Sequence, residues 1–126
     1  MTRRLGEFSL QREILGELAN MPRCAVLQPR GGLAGAKNPI AVFWRANTGA
    51  ARNSLGALVR FGVRGQADIH GIALGLFVAI EVKLPRARQT AEQRTWQAAV
   101  EAAGGIYILA RSLEDALNPV KRMIEP

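Results

Sequence analysis

The stretch that constrains this chain most is Leu76 to Lys83, LFVAIEVK, its most hydrophobic segment. In a strand, alternate residues share a face, so Leu76, Val78, Ile80 and Val82 take one side. Phe77, Ala79, Glu81 and Lys83 take the other. Both sides are apolar for most of their length, as expected of a central strand covered on each face. Such a strand needs a sheet around it and layers above and below. It also closes on a carboxylate and an ammonium, which are costly to bury unless something uses them. Upstream, Asp68 ends a short apolar run, and glycines at 71 and 75 predict a turn between the two segments.

At 126 residues the sequence reads as one domain, 1–126, large enough for a single core. No apolar run approaches the roughly 18 residues that would span a bilayer. The basic start, MTRRLGEFSL, lacks an apolar signal-peptide core. One cysteine, Cys24, excludes an intramolecular disulfide or a cysteine metal cluster, and is expected to be a small, buried or semi-buried residue. The default expectation is a cytoplasmic protein without membrane contact. The net charge of +7 and pI of about 11.0 favour a polyanionic partner such as nucleic acid. Between Leu18 and Ala91 there are ten Arg or Lys but only two acids, Asp68 and Glu81. Two lone carboxylates in a basic region, each near a strand end, read as placed.

Residues 7–20 read as a helix with one apolar face made by Phe8, Leu10, Ile14, Leu15 and Leu18. Glu7 falls near the middle of that face. It either gains from the helix dipole or projects toward whatever the face covers. Asn20-Met-Pro22 ends the helix. Residues 28–39, QPRGGLAGAKNP, read as a mobile basic loop. Ala36-Lys37-Asn38 replaces the Gly-Lys-Ser/Thr of a phosphate-binding loop, and no clear strand precedes it, so that function is rejected. Strands are expected at 40–45, 58–61, 76–83 and 106–110. Thr90-Ala-Glu-Gln93 is a capping box opening a helix that Gly104-Gly105 closes. Ser112 and Asp115 cap a last helix, interrupted at Asn118-Pro119. The expected class is α/β, a mixed sheet flanked by helices in the order α-β-β-β-α-β-α.

The chemistry concentrates in Asp68 and Glu81-Val82-Lys83. Two carboxylates at adjacent strand ends can share Mg²⁺ or Mn²⁺, hard cations that prefer oxygen ligands, and the Val82 carbonyl can add a third. Lys83 is then placed to orient water or offset charge on a phosphoryl transition state. Surrounding arginines would hold backbone phosphates.

Together, Gly62-x-x-Gly65-x-x-Asp68-Ile-x-Gly71, Phe77-x-x-Ile80-Glu81-Val82-Lys83, Gln93-x-x-Trp96 and Gly104-Gly105 resemble the VRR-Nuc branch of the PD-(D/E)XK nucleases. Trp44-Arg45-x-Asn47-x-Gly49 and Glu7-x-x-Leu10-Gln11-x-x-Ile14-x-x-x-Leu18 extend the resemblance, which covers about 7–115. It implies a restriction-endonuclease-like fold and a metal-dependent DNA endonuclease. Asp68 and Glu81 would be metal ligands, Lys83 the catalytic lysine, Glu7 the acid supplied by the first helix, and Gln93 a polar residue reaching the site. Stand-alone members are similar to phage-encoded or prophage-derived proteins of bacterial cells. They are implied to cut branched DNA, such as four-way junctions or flaps, as homodimers. Ala67 stands where the superfamily has proline. The literal Val-Arg-Arg string is absent; its nearest echoes, Val63-Arg64 and Leu109-Ala-Arg111, carry no assigned role.

Plainer readings stand beside these. Capping alone explains Gln93. His70 reads as a surface turn residue rather than a ligand, and Trp44 and Trp96 as core rather than base-stacking platforms. Arg45, Asn47, Arg64, Arg86 and Arg88 are candidate DNA contacts on or beside strand ends. The alternatives are a nicking or non-specific nuclease without branch preference, and a catalytically silent basic module that binds nucleic acid.

Overall fold

The computed structural model describes residues 6–46 and 49–125. Helix α1 spans Glu7–Asn20 and stops where the Met21 N–H turns back to the Leu18 carbonyl ahead of Pro22. Strands follow at β1 Cys24–Leu27, β2 Leu33–Gly35, β3 Ala41–Arg45, β4 Gly49–Arg52, β5 Leu58–Phe61, β6 Ile69–Ala73 and β7 Leu76–Val82. Helix α2 (Ala91–Ala102), strand β8 (Ile106–Ala110) and helix α3 (Leu113–Ile124) complete the chain. Among the described residues, one sheet runs in the order β2-β1-β3-β6-β7-β8, and β4 and β5 form a separate ribbon. The pairings β1–β3 and β7–β8 are parallel and the rest antiparallel, so the sheet is mixed.

The alternation expected along β7 holds. Val78, Ile80 and Val82 lie on the face covered by α1 and α3, in a core with Ile14, Leu18, Phe43, Ile69, Val120 and Ile124. Fully burying each large aliphatic or aromatic side chain contributes about 1.5–3 kcal/mol, so this face supplies most of the hydrophobic stability. Cys24 is wholly buried there, and burial pushes its thiol up to about 11. Phe8, expected on the same face, is instead exposed, with the Arg45 guanidinium 4.3 Å above its ring. The first helical turn lies at the end of β3, where Arg45 closes the strand, and its aromatic ring serves a cation rather than the core.

The opposite face carries Trp44, His70, Phe77 and Tyr107, and α2 lies over it through Trp96. The capping box that starts α2 is present in both halves: Thr90 Oγ1 accepts from the Gln93 N–H, and Gln93 Oε1 from the Thr90 N–H.

Several expectations need correction. Residues 28–39 contain β2, paired antiparallel with β1. A strand therefore does precede the glycine-rich stretch, but another strand rather than a helix follows it. Gly35 has φ +107, and a Cβ there would sit 2.7 Å from the Ala19 and Cys24 carbonyl oxygens. Its glycine answers to close packing, not to loop mobility. Gly71 likewise is no turn residue: it lies inside β6 with the Phe43 ring over it. The turn is Leu74-Gly75, both at positive φ, the two-residue connection that suits strand twist. Seven strands, not three, precede α2 among the described residues. Pro119 does not interrupt α3. An interior proline costs about 3 kcal/mol, which burial of Ala116, Leu117, Val120 and Ile124 around it offsets.

Candidate active site

Register brings the candidate residues together. Ile69 pairs with Ile80 across β6 and β7, so one step further Asp68 stands opposite Glu81 on the same face. Asp68 is fixed twice: its carbonyl accepts from the Ala46 N–H at 2.9 Å, and its Oδ2 accepts from the Val82 N–H at 2.8 Å. Lys83 follows Val82 and is anchored by its own N–H to the Ala110 carbonyl at 2.9 Å. Strands β3, β6, β7 and β8 thus meet at one end of the sheet around this pair of acids.

The electrostatics there are strained. Glu81 is 1% exposed, and its Oε2 is buried without a hydrogen-bond partner. Burial, then the adjoining Asp68 through a hydrogen bond and its charge, push the Glu81 carboxyl up from 4.5 to about 9. The Lys83 ammonium works in the other direction, and Glu7 adds a smaller upward push. Lys83 is itself buried. A buried carboxylate beside another, with one oxygen unanswered, is a poor arrangement for stability alone. It becomes favourable when a cation supplies the missing positive charge, and an oxygen-rich pair suits Mg²⁺ or Mn²⁺.

Asp68 opens onto a cavity of about 490 Å³ whose wall includes Gln11, Arg45, Arg64, Gln66 and Gln93. A larger cavity of about 850 Å³ lies between α1 and the β1–β3 end, bordered by Leu15, Val26 and Trp44, and carries no acid. The smaller one is therefore the cavity at the candidate acids, reached through Asp68 while Glu81 and Lys83 lie buried behind its wall, and Arg45 is shared between the two.

The expected residues fare differently. Asp68, Glu81 and Lys83 converge, with Val82 between them holding Asp68. Glu7 is half-buried on the first turn of α1 and acts on Glu81 through its charge. However, among the described residues no group of three His, Cys, Asp or Glu is close enough to hold a metal ion. Glu7, on a helix whose place is set by Ile14 and Leu18 in the core, acts on Glu81 by charge without completing such a group with Asp68 and Glu81. Gln93 lines the cavity while its Oε1 is spent on the Thr90 N–H. Arg45 is half-buried against Phe8 with its Nε unpartnered. Arg64 is exposed, 3.9 Å from Glu92, and Arg86 and Arg88 are exposed on the loop leaving β7. Asn47 lies outside the described residues.

His70 is no surface turn residue. It is half-buried within β6 and stacked on Trp96 at 5.3 Å and 18°. Burial lowers its pKa, against smaller upward contributions from the Ala67 carbonyl and Asp68. A neutral imidazole packed among Trp44, Phe77 and Trp96 fits that position.

Three contributors carry no role in the sequence pattern. Arg111 Nη1 donates to the carbonyls of Leu84, at 2.8 Å, and Ala87, at 2.7 Å, and so shapes the loop that carries Arg86 and Arg88. Tyr107 is pushed up to about 12 by burial and then by the Glu81 charge, while Gln89 donates to its hydroxyl at 3.1 Å. Gln11, part of the Glu7-x-x-Leu10-Gln11 pattern, lines the cavity one helical turn beyond Glu7.

No family model matches the chain, and neither a curated protein nor a solved structure matches it.

Proposed function

We propose that this protein is a divalent-metal-dependent endonuclease acting on DNA, with the restriction-endonuclease-like core that the VRR-Nuc resemblance implies. The observation that carries the reading is the Asp68–Glu81 pair, with its buried, unanswered Glu81 oxygen, beside buried Lys83 at one sheet end. Asp68, Glu81 and the Val82 carbonyl are the proposed oxygen ligands. A bound Mg²⁺ or Mn²⁺ supplies Lewis acidity toward a phosphoryl oxygen and an attacking water.

The chain's own residues supply the rest. The Val82 N–H holds the Asp68 carboxylate in a fixed direction. Lys83, locked at its backbone to β8, presents an ammonium that offsets charge building on the phosphoryl group. Arg45 and Arg64 border the cavity, where phosphate oxygens would sit. Arg86 and Arg88 extend the cationic surface on a loop that Arg111 keeps in shape. Glu7 adjusts the charge of the pair from a distance. Branched DNA as substrate and a two-fold dimer as the working unit are parts of this proposal, since symmetrical cutting of a junction needs two sites.

The test is cleavage of supercoiled plasmid, linear duplex and a synthetic four-way junction, each with Mn²⁺ or with EDTA. Wild type is expected to cut only with metal, and Asp68→Asn and Lys83→Ala to lose at least about 100-fold in rate, the scale for removing one transition-state charge contact. No metal-dependent cleavage of any DNA would leave a silent binding module. Equal cutting of junction and linear duplex would remove the branch preference.

A further inference from the structure

The ribbon β4–β5 stands apart from the main sheet, and its charged residues are both arginines, set beside exposed Leu55, Leu58, Val59 and Phe61. Every residue from Ala50 to Arg64 is exposed, with Leu55 at the tip 90% exposed. No acid occurs between Glu17 and Asp68, a stretch holding seven Arg or Lys. Pairing of Arg52 with Leu58 and of Ala50 with Arg60 puts both arginines on one face of the ribbon. The loop is ordered rather than loose: Asn53 Oδ1 accepts from Leu55 N–H at 2.9 Å and Ala57 N–H at 3.0 Å, and Arg52 Nη1 donates to the Gly56 carbonyl at 2.8 Å. Both ends of the excursion close at the candidate site. The Ala46 N–H meets the Asp68 carbonyl, and Gly65 passes so close to the Glu92 carbonyl that a Cβ would come within 2.4 Å of it.

We propose that the β4–β5 ribbon is a DNA-binding arm that docks its Arg52–Arg60 face on B-form duplex DNA, flanking the proposed cleavage site. The proposal rests on the nuclease reading for its choice of partner, and deepens it by naming a second contact surface. Three features support DNA over a second copy of the chain. The face is cationic without a compensating acid, so a two-fold contact with the same face of a second copy would set like charges against each other. A two-stranded ribbon has the cross-section that the B-DNA major groove admits, and the deep, narrow major groove of A-form RNA does not. The ribbon is also rooted on Asp68, so whatever binds it is held next to the acids.

The test is fluorescence anisotropy of a short labelled DNA duplex in EDTA across a salt series, which reads binding without cleavage. Arg52→Gln/Arg60→Gln is expected to bind about tenfold more weakly, with the slope of log affinity against log salt reduced by about 2. Because Arg52 also braces the loop, Arg60→Gln alone provides a second reading. The Arg60 side chain makes no hydrogen bond or ion pair among the described residues, and its loss should reduce the slope by about 1. Lys121→Gln/Arg122→Gln removes the same charge from exposed positions on α3 and is expected to stay within about twofold of wild type. A-form RNA duplex should bind more weakly than DNA. Equal losses in the ribbon and α3 variants, or none in the ribbon variants, would overturn the proposal. So would ribbon variants that change only the monomer–dimer balance. Metal-dependent cleavage that persists in such a case would leave the nuclease reading standing, and its absence in a wild type that binds normally would sink that reading alone.

Discussion

The two sides of β7 differ by a single residue step and do opposite things. Val78, Ile80 and Val82 are enclosed by aliphatic side chains from α1, α3 and neighbouring strands, with nothing polar to satisfy. Glu81 and Lys83, interleaved with them, are buried on a face of aromatic rings, and one Glu81 oxygen is left unanswered. The aliphatic side lowers the energy of the fold, whereas burying Glu81 beside Asp68 on the other side raises it. A strand can afford that strain because the apolar side fixes the backbone regardless of what the other side carries. Burial alone therefore does not tell a core residue from a site residue. The sign of its contribution to stability does.

That contrast can be broken by substitution on each side. On the apolar side, Ile80→Ala is expected to destabilise the protein by about 2–5 kcal/mol, the range for a large-to-small change in a packed core. Denaturant unfolding measures it, and a loss well below that range would mean that the side is not the stabilising one. On the other side, Glu81→Gln is expected to leave metal-free stability unchanged or higher. The effect should depend on pH. The folded protein holds the Glu81 proton up to about 9, whereas the ordinary value is 4.5. Its contribution to stability is therefore fully present below about 4.5 and is lost as pH rises through about 9. In EDTA, wild type should thus lose stability relative to Glu81→Gln between those limits. Parallel pH curves for the two proteins would contradict the buried-acid picture.

Local signals in the sequence were enough for much of this. The strand LFVAIEVK, helix α1 and the two-sided capping box of α2 depend on residues a few positions apart, and their bounds follow from periodicity, Thr90 and Pro85. The convergence of Asp68, Glu81 and Lys83 was legible because strand alternation and the turn at Gly75 bring them together. What was missed depends on distant partners. Strands β1 and β2 hide in a stretch rich in glycine and proline, where Gly35 is required by the carbonyls of Ala19 and Cys24 rather than by a turn. The Val82-to-Asp68 hydrogen bond and Arg111's grip on the 84–87 loop join residues 14 and 27 or fewer positions apart, and no local pattern announces them. Glu7 shows the converse: its helical phase was clear, but its distance from Glu81 depends on how α1 packs.

The most direct measurement is a titration of the protein with Mn²⁺, followed by electron paramagnetic resonance of the free ion, for wild type, Asp68→Asn, Glu81→Gln and Lys83→Ala. Wild type and Lys83→Ala should take up the ion, and each acid variant should lose it. Uptake that survives both acid substitutions, or none in wild type, would contradict a cation held between Asp68 and Glu81.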